Sequence, residues 1–552
     1  MTELLTRAEA SNYTETSRHA DVVAFVDELC RRTKLARRVD FGRSGEGQPM
    51  VALVLSDRNC FTPELARKQK KTVVMVEANI HAGEVEGKEA VLALARDLTL
   101  TPLGKKLLDT LCLVLIPDFN PDGNDRISTS NRRLDLKNLE GQLNPAGGVG
   151  TRYTGEGWNL NRDNTKQEAP ETRCLASLYQ TWWPHLFIDC HTTDGSIHAF
   201  DLTFDTSHSN EPLFAELRHF NREMLERVAQ AVKKRHGFDS FWYGNYRTEG
   251  EPRSGWHTYP ALPRFGSHYR GLLGRLDVLL ETYSYISFPR RCEVMRAWLL
   301  ELFRDAAKNA AAYRALTEAE QERIIARGRT PDVETLVGIN YGVATRTDQG
   351  ALAFEYPAHA RPGDQAHLLS FDEASITARH YPGKRRREYR APHYRTFVPT
   401  QAVSTPLAYL VPEELAPRLE GHGIRFERLS APRRLTVDSY RVARREETFS
   451  PDVAANVPPP GEAEVPLSQK PKPVRFETVL TVAPERTTRE FPAGLLYVPT
   501  AQRAGTLAVY LLEPHSDDGF CRWQFLDGLI RAGELYPVHR VVSGGDVPKK
   551  AE

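Results

Sequence analysis

The chain has almost no net charge, no closely paired cysteines and no long apolar run, and each absence removes a class of function. Its 73 Lys and Arg nearly cancel 72 Asp and Glu, leaving a formal net charge of +1, so no global field draws it to nucleic acid or to an anionic membrane. The seven cysteines include no C-x-x-C pair, which argues against both a disulfide framework and a cysteine zinc site and points to a reducing compartment. No run of about 18 apolar residues reads as a membrane span. The opening MTELLTRAEASNYTETSRHADVV lacks the charged-then-apolar layout of a signal peptide. A cytoplasmic location is expected, although a chain whose leader had been removed would look the same.

What is present is an ordinary globular composition, 40% hydrophobic and 26% charged, in a chain long enough for roughly three domains. Helical and strand-like periods alternate along its first half. Residues 18–36 place Val22, Val23, Phe25, Val26, Leu29 and Cys30 on one helical face. Short strands are expected at 38–42 and 50–56, then at 73–76, 111–116, 186–190 and 276–281. The expected fold class is therefore α/β, a mostly parallel or mixed twisted sheet with helices on both faces.

The strands empty into polar residues on one side. The 73–76 strand of TVVMVEANIHAGE runs into His81 and Glu84, 111–116 into PDFNPDGNDR, 186–190 into HTTDG and 276–280 into ETYSY. Ligands of parallel sheets bind outside the carboxyl ends of the strands, so these distant segments can share one crevice. His81, Glu84 and His191 offer two imidazole nitrogens and a carboxylate for one zinc ion. A fourth position stays open, as in a catalytic site. Glu281, at the end of the neighbouring strand, is placed to take a proton from water and pass it to a leaving amine.

In order, H-x-x-E (His81, Glu84), NPDG (120–123), NLNRD (159–163), DCH (189–191) and LLET (279–282) resemble the M14 zinc carboxypeptidases across roughly residues 20–310. The resemblance implies a zinc carboxypeptidase-like domain with zinc on His81, Glu84 and His191, and Glu281 as general base and acid. It implies Asn161 and Arg162 as the clamp on a substrate's terminal carboxylate, a role that suits a guanidinium fork beside an amide donor. Arg152, nine residues before Asn161 and five before Gly157, matches the oxyanion arginine of the cytosolic branch; Arg126, Arg132 and Arg133 stay open as alternatives. Tyr259 is the expected substrate-capping tyrosine, with Tyr269 the alternative. Asn159 stands where relatives carry an Asp that orients a zinc-bound histidine, and a neutral amide polarises that ligand less. No zymogen step is expected.

A long amphipathic helix is expected at 291–316, continuing helically over 317–329, to close a catalytic domain of residues 1–329. Residues 330–552 turn to short β-rich runs such as LAFEY, RTFVP, LAYLV, GLLYV and TLAVYLLEP and are expected to form a β-rich accessory domain. A Pro-rich linker or loop is expected near 449–474. The basic run 384–387 reads as a solvated turn, and HSDDG at 515–519 as a polar turn after the TLAVYLLEP strand. Arg264, His268 and Arg270, in the loop expected to set specificity, hint at acidic or carboxylate-rich substrates.

The partner these readings favour is a peptide with a free C-terminal carboxylate, with no nucleic acid and no membrane; oligomeric state stays open. A zinc amidase or deacylase acting on N-acyl amino acids would use the same metal, base and clamp. A binding protein on the same fold would not need Glu281.

Overall fold

The computed structural model describes residues 3–544 apart from 58, 136, 211, 342, 347–351, 356–357, 360–364, 372–385 and 450–475. Its centre is an eight-stranded mixed sheet. The strands are β1 Ala36–Arg43, β2 Pro49–Leu55, β3 Thr72–Ala78, β4 Leu111–Ile116, β5 Leu186–Thr193, β6 Leu202–Asp205, β7 Ser240–Trp242 and β8 Leu276–Tyr283. They lie in the order β1-β2-β4-β3-β5-β8-β6-β7. The four central strands β4, β3, β5 and β8 are parallel. On one side β1 and β2 run antiparallel to their neighbours, and on the other β6 runs antiparallel to β8.

β3 and β4 are apolar almost throughout because both of their faces are covered, and every residue in them is buried. Val74 and Val76 of β3 pack with Val22 and Leu29 of helix α1 (His19–Arg32), Leu94 of α2 (Glu86–Leu100) and Trp298 of the helix Phe288–Lys308. The intervening Val73 and Met75 point to the opposite face. There they join Leu175 and Leu178 of α3 (Pro170–Trp182) and, from far along the chain, Tyr409, Val411, Leu507 and Leu511. The second half of the chain thus helps cover one face of the central sheet. Its own largest sheet has six strands, all antiparallel, including the long hairpin of Arg433–Phe449 with Phe476–Phe491.

Three expected elements come out differently. Helix α1 stops at Arg32, because Thr33 is extended and its hydroxyl accepts from the Leu35 N–H, which frees Ala36 to begin β1. The helix expected at 291–316 breaks: α4 spans Phe288–Lys308 and α5 spans Ala310–Arg329, with Asn309 between them off helical geometry and its amide bonded to Asp305. The TLAVYLLEP run is a helix, Gly505–Leu512, not a strand. All eight residues of that helix are buried, and in a wholly apolar run the period that would separate helix from strand is silent. Strands β6 and β7 were not anticipated.

Past Phe449 the expected linker lies outside the described residues, as do Lys384 and Arg385 of the basic run. Among the described residues no helix is long and apolar enough to cross a membrane.

Candidate active site

At the end of β3 the chain turns through Asn79 in the left-handed region (φ +67°), a conformation Asn tolerates better than most residues. The Asn79 amide donates to Asp118 Oδ1 (2.7 Å) and Asn124 Oδ1 (3.1 Å), which pins the turn. Gly83 is required by close approach, since a Cβ there would sit 2.5 Å from Arg132 Cδ and 2.9 Å from the Gly150 carbonyl. The Glu84 N–H bonds back to the His81 carbonyl at 2.9 Å, so the two side chains emerge from one tight turn. His191 and Glu281 are register partners on β5 and β8.

His81, Glu84 and His191, all buried, bring donor atoms within 4.8 Å of one another, the one such group of His, Cys, Asp and Glu among the described residues. Glu84 Oε1 is 3.0 Å from His81 Nδ1, and Glu84 Oε2 is 3.1 Å from His191 Nδ1. Donors at zinc bond lengths of about 2 Å in a tetrahedron stand roughly 3.3 Å apart, so spacing and donor chemistry both fit zinc. The outer ring nitrogens face acceptors: His81 Nε2 is 3.3 Å from Asn159 Oδ1, and His191 Nε2 is 3.0 Å from Asp189 Oδ1. That arrangement turns both Nδ1 atoms inward, toward the Glu84 carboxylate. Asn159 thus offers His81 a neutral acceptor.

Burial, reinforced by the charge of Arg152, drops the His81 imidazolium to about 3, whereas for His191 burial is outweighed by Asp189, Glu84 and Glu281, which raise it well above its ordinary value. Burial would raise Glu84, but His81, Arg132 and hydrogen bonds from both histidines hold it well below the usual carboxylate range. Glu281 is pushed up to about 8, first by burial and further by Glu84 and Asp189, against the opposing pull of His191.

These side chains line a cavity of about 450 Å³ that also takes in Arg132, Arg152, Asn161, Arg162 and Tyr259. Arg152 Nη1 lies 3.3 Å from His81 Nδ1 and 3.8 Å from Glu84 Oε1. Arg132 is nearer still to Glu84, at 3.1 Å, and is braced by the Gln142 side chain and the Thr192 carbonyl. Two of the candidate arginines thus reach the cluster. Arg126 pairs with Glu46, and neither it nor Arg133 lines the cavity.

Asn161 and Arg162 lie in a short 3₁₀ turn, Leu160–Arg162, whose Asn161 N–H is accepted by Asn159 Oδ1 at 3.2 Å. Asn161 Oδ1 accepts from the Gly266 N–H at 3.2 Å, and the Arg162 guanidinium lies 4.3 Å from the Phe265 ring centroid. The neighbouring Asp163 carboxylate accepts from the Glu168 and Ala169 N–H groups. Tyr259 lines the cavity with its hydroxyl 2.5 Å from Ser267 Oγ. Tyr269 is outside it, bonded to His422 Nδ1 at 2.8 Å.

Arg264, His268 and Arg270, the basic residues behind the hint of acidic substrates, are all buried. Arg270 is buried among Asp277, Asp189 and, at 4.0 Å, Glu77; Arg264 is buried against Asp518 and Glu477. His268 is driven well below its ordinary pKa by burial. Arg264 lines the cavity, but its guanidinium is already paired with Asp518. Asp189 and Phe265 are site neighbours that the sequence reading gave no role, although the D-x-H spacing on one face of β5 signals the former.

Residues 22–264 match the sequence model of the family described as zinc carboxypeptidase, Peptidase M14. The chain is similar to carboxypeptidase 2 of Trichophyton equinum, 23% identical over 502 residues that span 85% of this chain and 77% of the relative. It is also similar to carboxypeptidase 2 of Trichophyton tonsurans, 23% identical over 91% of this chain and 82% of that one. A solved metallo-carboxypeptidase from Burkholderia cenocepacia aligns over 53% of this chain and 70% of its own, at 19% identity and a TM-score of 0.39.

Proposed function

Taking this chain as a member of the M14 zinc carboxypeptidases, and so a hydrolase of the metallocarboxypeptidase class, we propose how its residues divide the work. His81, Glu84 and His191 hold one zinc ion. When bound, zinc supplies Lewis-acid polarisation of the scissile carbonyl and lowers the pKa of water. Glu281 accepts the proton of the attacking water and delivers it to the leaving amine.

Arg152, with Arg132 beside it, faces the place where the carbonyl oxygen gains charge; both are fixed donors in a buried site, where such stabilisation is strongest. Asn161 and Arg162 bind the terminal carboxylate, a guanidinium fork with an amide beside it. Tyr259 closes over the bound residue. The substrate is a peptide with a free C-terminus. Residues 330–552 act as an accessory unit. The seven free thiols support a reducing, cytoplasmic setting.

The observation that carries this reading is the meeting of three zinc-type donors, the Glu281 carboxyl and the Asn161-Arg162 pair in one cavity. Mass spectrometry of a peptide mixture incubated with the zinc-loaded protein tests it. Stepwise loss of C-terminal residues is expected, and release of acyl groups without trimming would overturn it.

A further inference from the structure

We infer that the carboxyl-terminal part of the chain supplies a positioning residue for the substrate clamp: Asp518, acting through Arg264, fixes the backbone that holds Asn161 and Arg162. The inference rests on the reading of those two residues as the carboxylate clamp. Both are held by the two residues that follow Arg264, Asn161 through the Gly266 N–H at 3.2 Å and Arg162 through the Phe265 ring at 4.3 Å. Residues 264–266 thus brace the side chains of the clamp, whose backbone is held by the turn at Asn159.

What sets those residues comes from 254 positions away. Asp518 Oδ2 accepts from the Arg264 backbone N–H at 2.6 Å, while Oδ1 accepts from its Nε and Nη2, each at 2.7 Å. One carboxylate thus grips main chain and side chain of the same residue, and Asp518 is fully buried. The Trp523 ring lies under both Arg264 (4.7 Å) and Lys166 (3.9 Å), and the Asn164 amide donates to the Arg264 carbonyl at 3.0 Å. The segment carrying the clamp and the segment supporting it are seated on one surface, residues 518–523.

Asp518 is itself anchored by its neighbour. The Asp517 N–H donates to the Ile339 carbonyl, and the Asp517 carboxylate accepts from the Tyr341 N–H and the Tyr510 hydroxyl. A buried ion pair is weak evidence for stability, because well-packed apolar side chains of similar volume do as well. Its bond to the backbone is different in kind: it fixes where the Phe265 ring and the Gly266 N–H stand. HSDDG is therefore a turn whose second Asp reaches the substrate site.

The test uses the intact zinc-loaded protein and matched N-acyl dipeptides ending in a free acid or an amide, with Asp518→Asn, Arg162→Ala and the double variant. Asp518→Asn is expected to raise KM for the free acid about tenfold with kcat within about twofold, to change the amide less than about twofold, and to add nothing to Arg162→Ala. Equal losses on both substrates, no loss on either, or effects that multiply in the double variant would overturn the inference. Where Asp518→Asn fails to fold, Arg264→Lys, which keeps the charge and loses the fork, is read in the same way. A wild-type protein that treats acid and amide alike defeats the clamp reading. The double-variant comparison on whichever substrate turns over then still decides whether Asp518 acts through Arg162.

Discussion

Glu281 and His191 face each other across the parallel register of β8 and β5. Both lie at the carboxyl ends of their strands, so the candidate base is held beside the candidate metal ligands by backbone hydrogen bonds rather than by a loop. Geometry of that kind survives substitution of the side chain. Glu281→Gln should therefore bind zinc at the wild-type stoichiometry and lose about three decades of kcat, because the amide matches the shape and cannot accept the proton. Elemental analysis alongside steady-state kinetics checks it, and near-normal kcat would place the base elsewhere.

Metal should follow the donor set. Treatment with a chelator is expected to abolish activity and added zinc to restore it. A His81→Ala, His191→Ala variant, left with one ligand, should purify without stoichiometric zinc. Full metal content in that variant, measured by elemental analysis, would sink the assignment.

The amide at Asn159, 3.3 Å from His81 Nε2, offers a finer test. Asn159→Asp should strengthen the polarisation of the His81 ring and tighten zinc, while Asn159→Ala should weaken it by about tenfold or more. Competition titration against a chromophoric chelator measures both. Affinity unchanged in the two variants would mean that His81 is not oriented through this contact.

Much of this site is legible from residue order alone, because local rules suffice for it. An apolar run such as Val73, Val74, Met75 and Val76 reads as a buried strand wherever it is packed, and His81, Glu84 and His191 inherit their places from strand ends. The clamp's support is not legible in that way. Arg264 looks like a cation offered to substrate until Asp518, 254 residues on, is seen to neutralise it, and no local pattern links the two. Arg270 misleads for the same reason, its partners Asp189 and Asp277 being joined to it only by folding. The helix Gly505–Leu512 is hidden by its own burial.

Asp517 yields a stability prediction. Burial, with the nearby Asp518 charge, pushes it up to about 7. A carboxyl raised in the folded state binds a proton there that the unfolded chain has released, so it contributes stability at low pH that is lost as pH rises toward 7. Asp517→Asn removes this dependence. Denaturant midpoints should fall more between pH 5 and pH 8 in the wild type than in Asp517→Asn; parallel slopes would show that Asp517 is ionised throughout.

The most direct measurement compares kcat/KM on matched substrates ending in a free carboxylate or an amide, for the wild type and for Arg162→Ala. Removing one partner of a hydrogen-bonded charge pair costs on the order of 2 to 5 kcal/mol, so the wild type should favour the free acid by roughly two to three decades. Arg162→Ala should lower the free-acid rate and erase most of that preference, since the amide never used the contact. Equal rates on acid and amide in the wild type would contradict the account and leave a zinc amidase with the same Glu281.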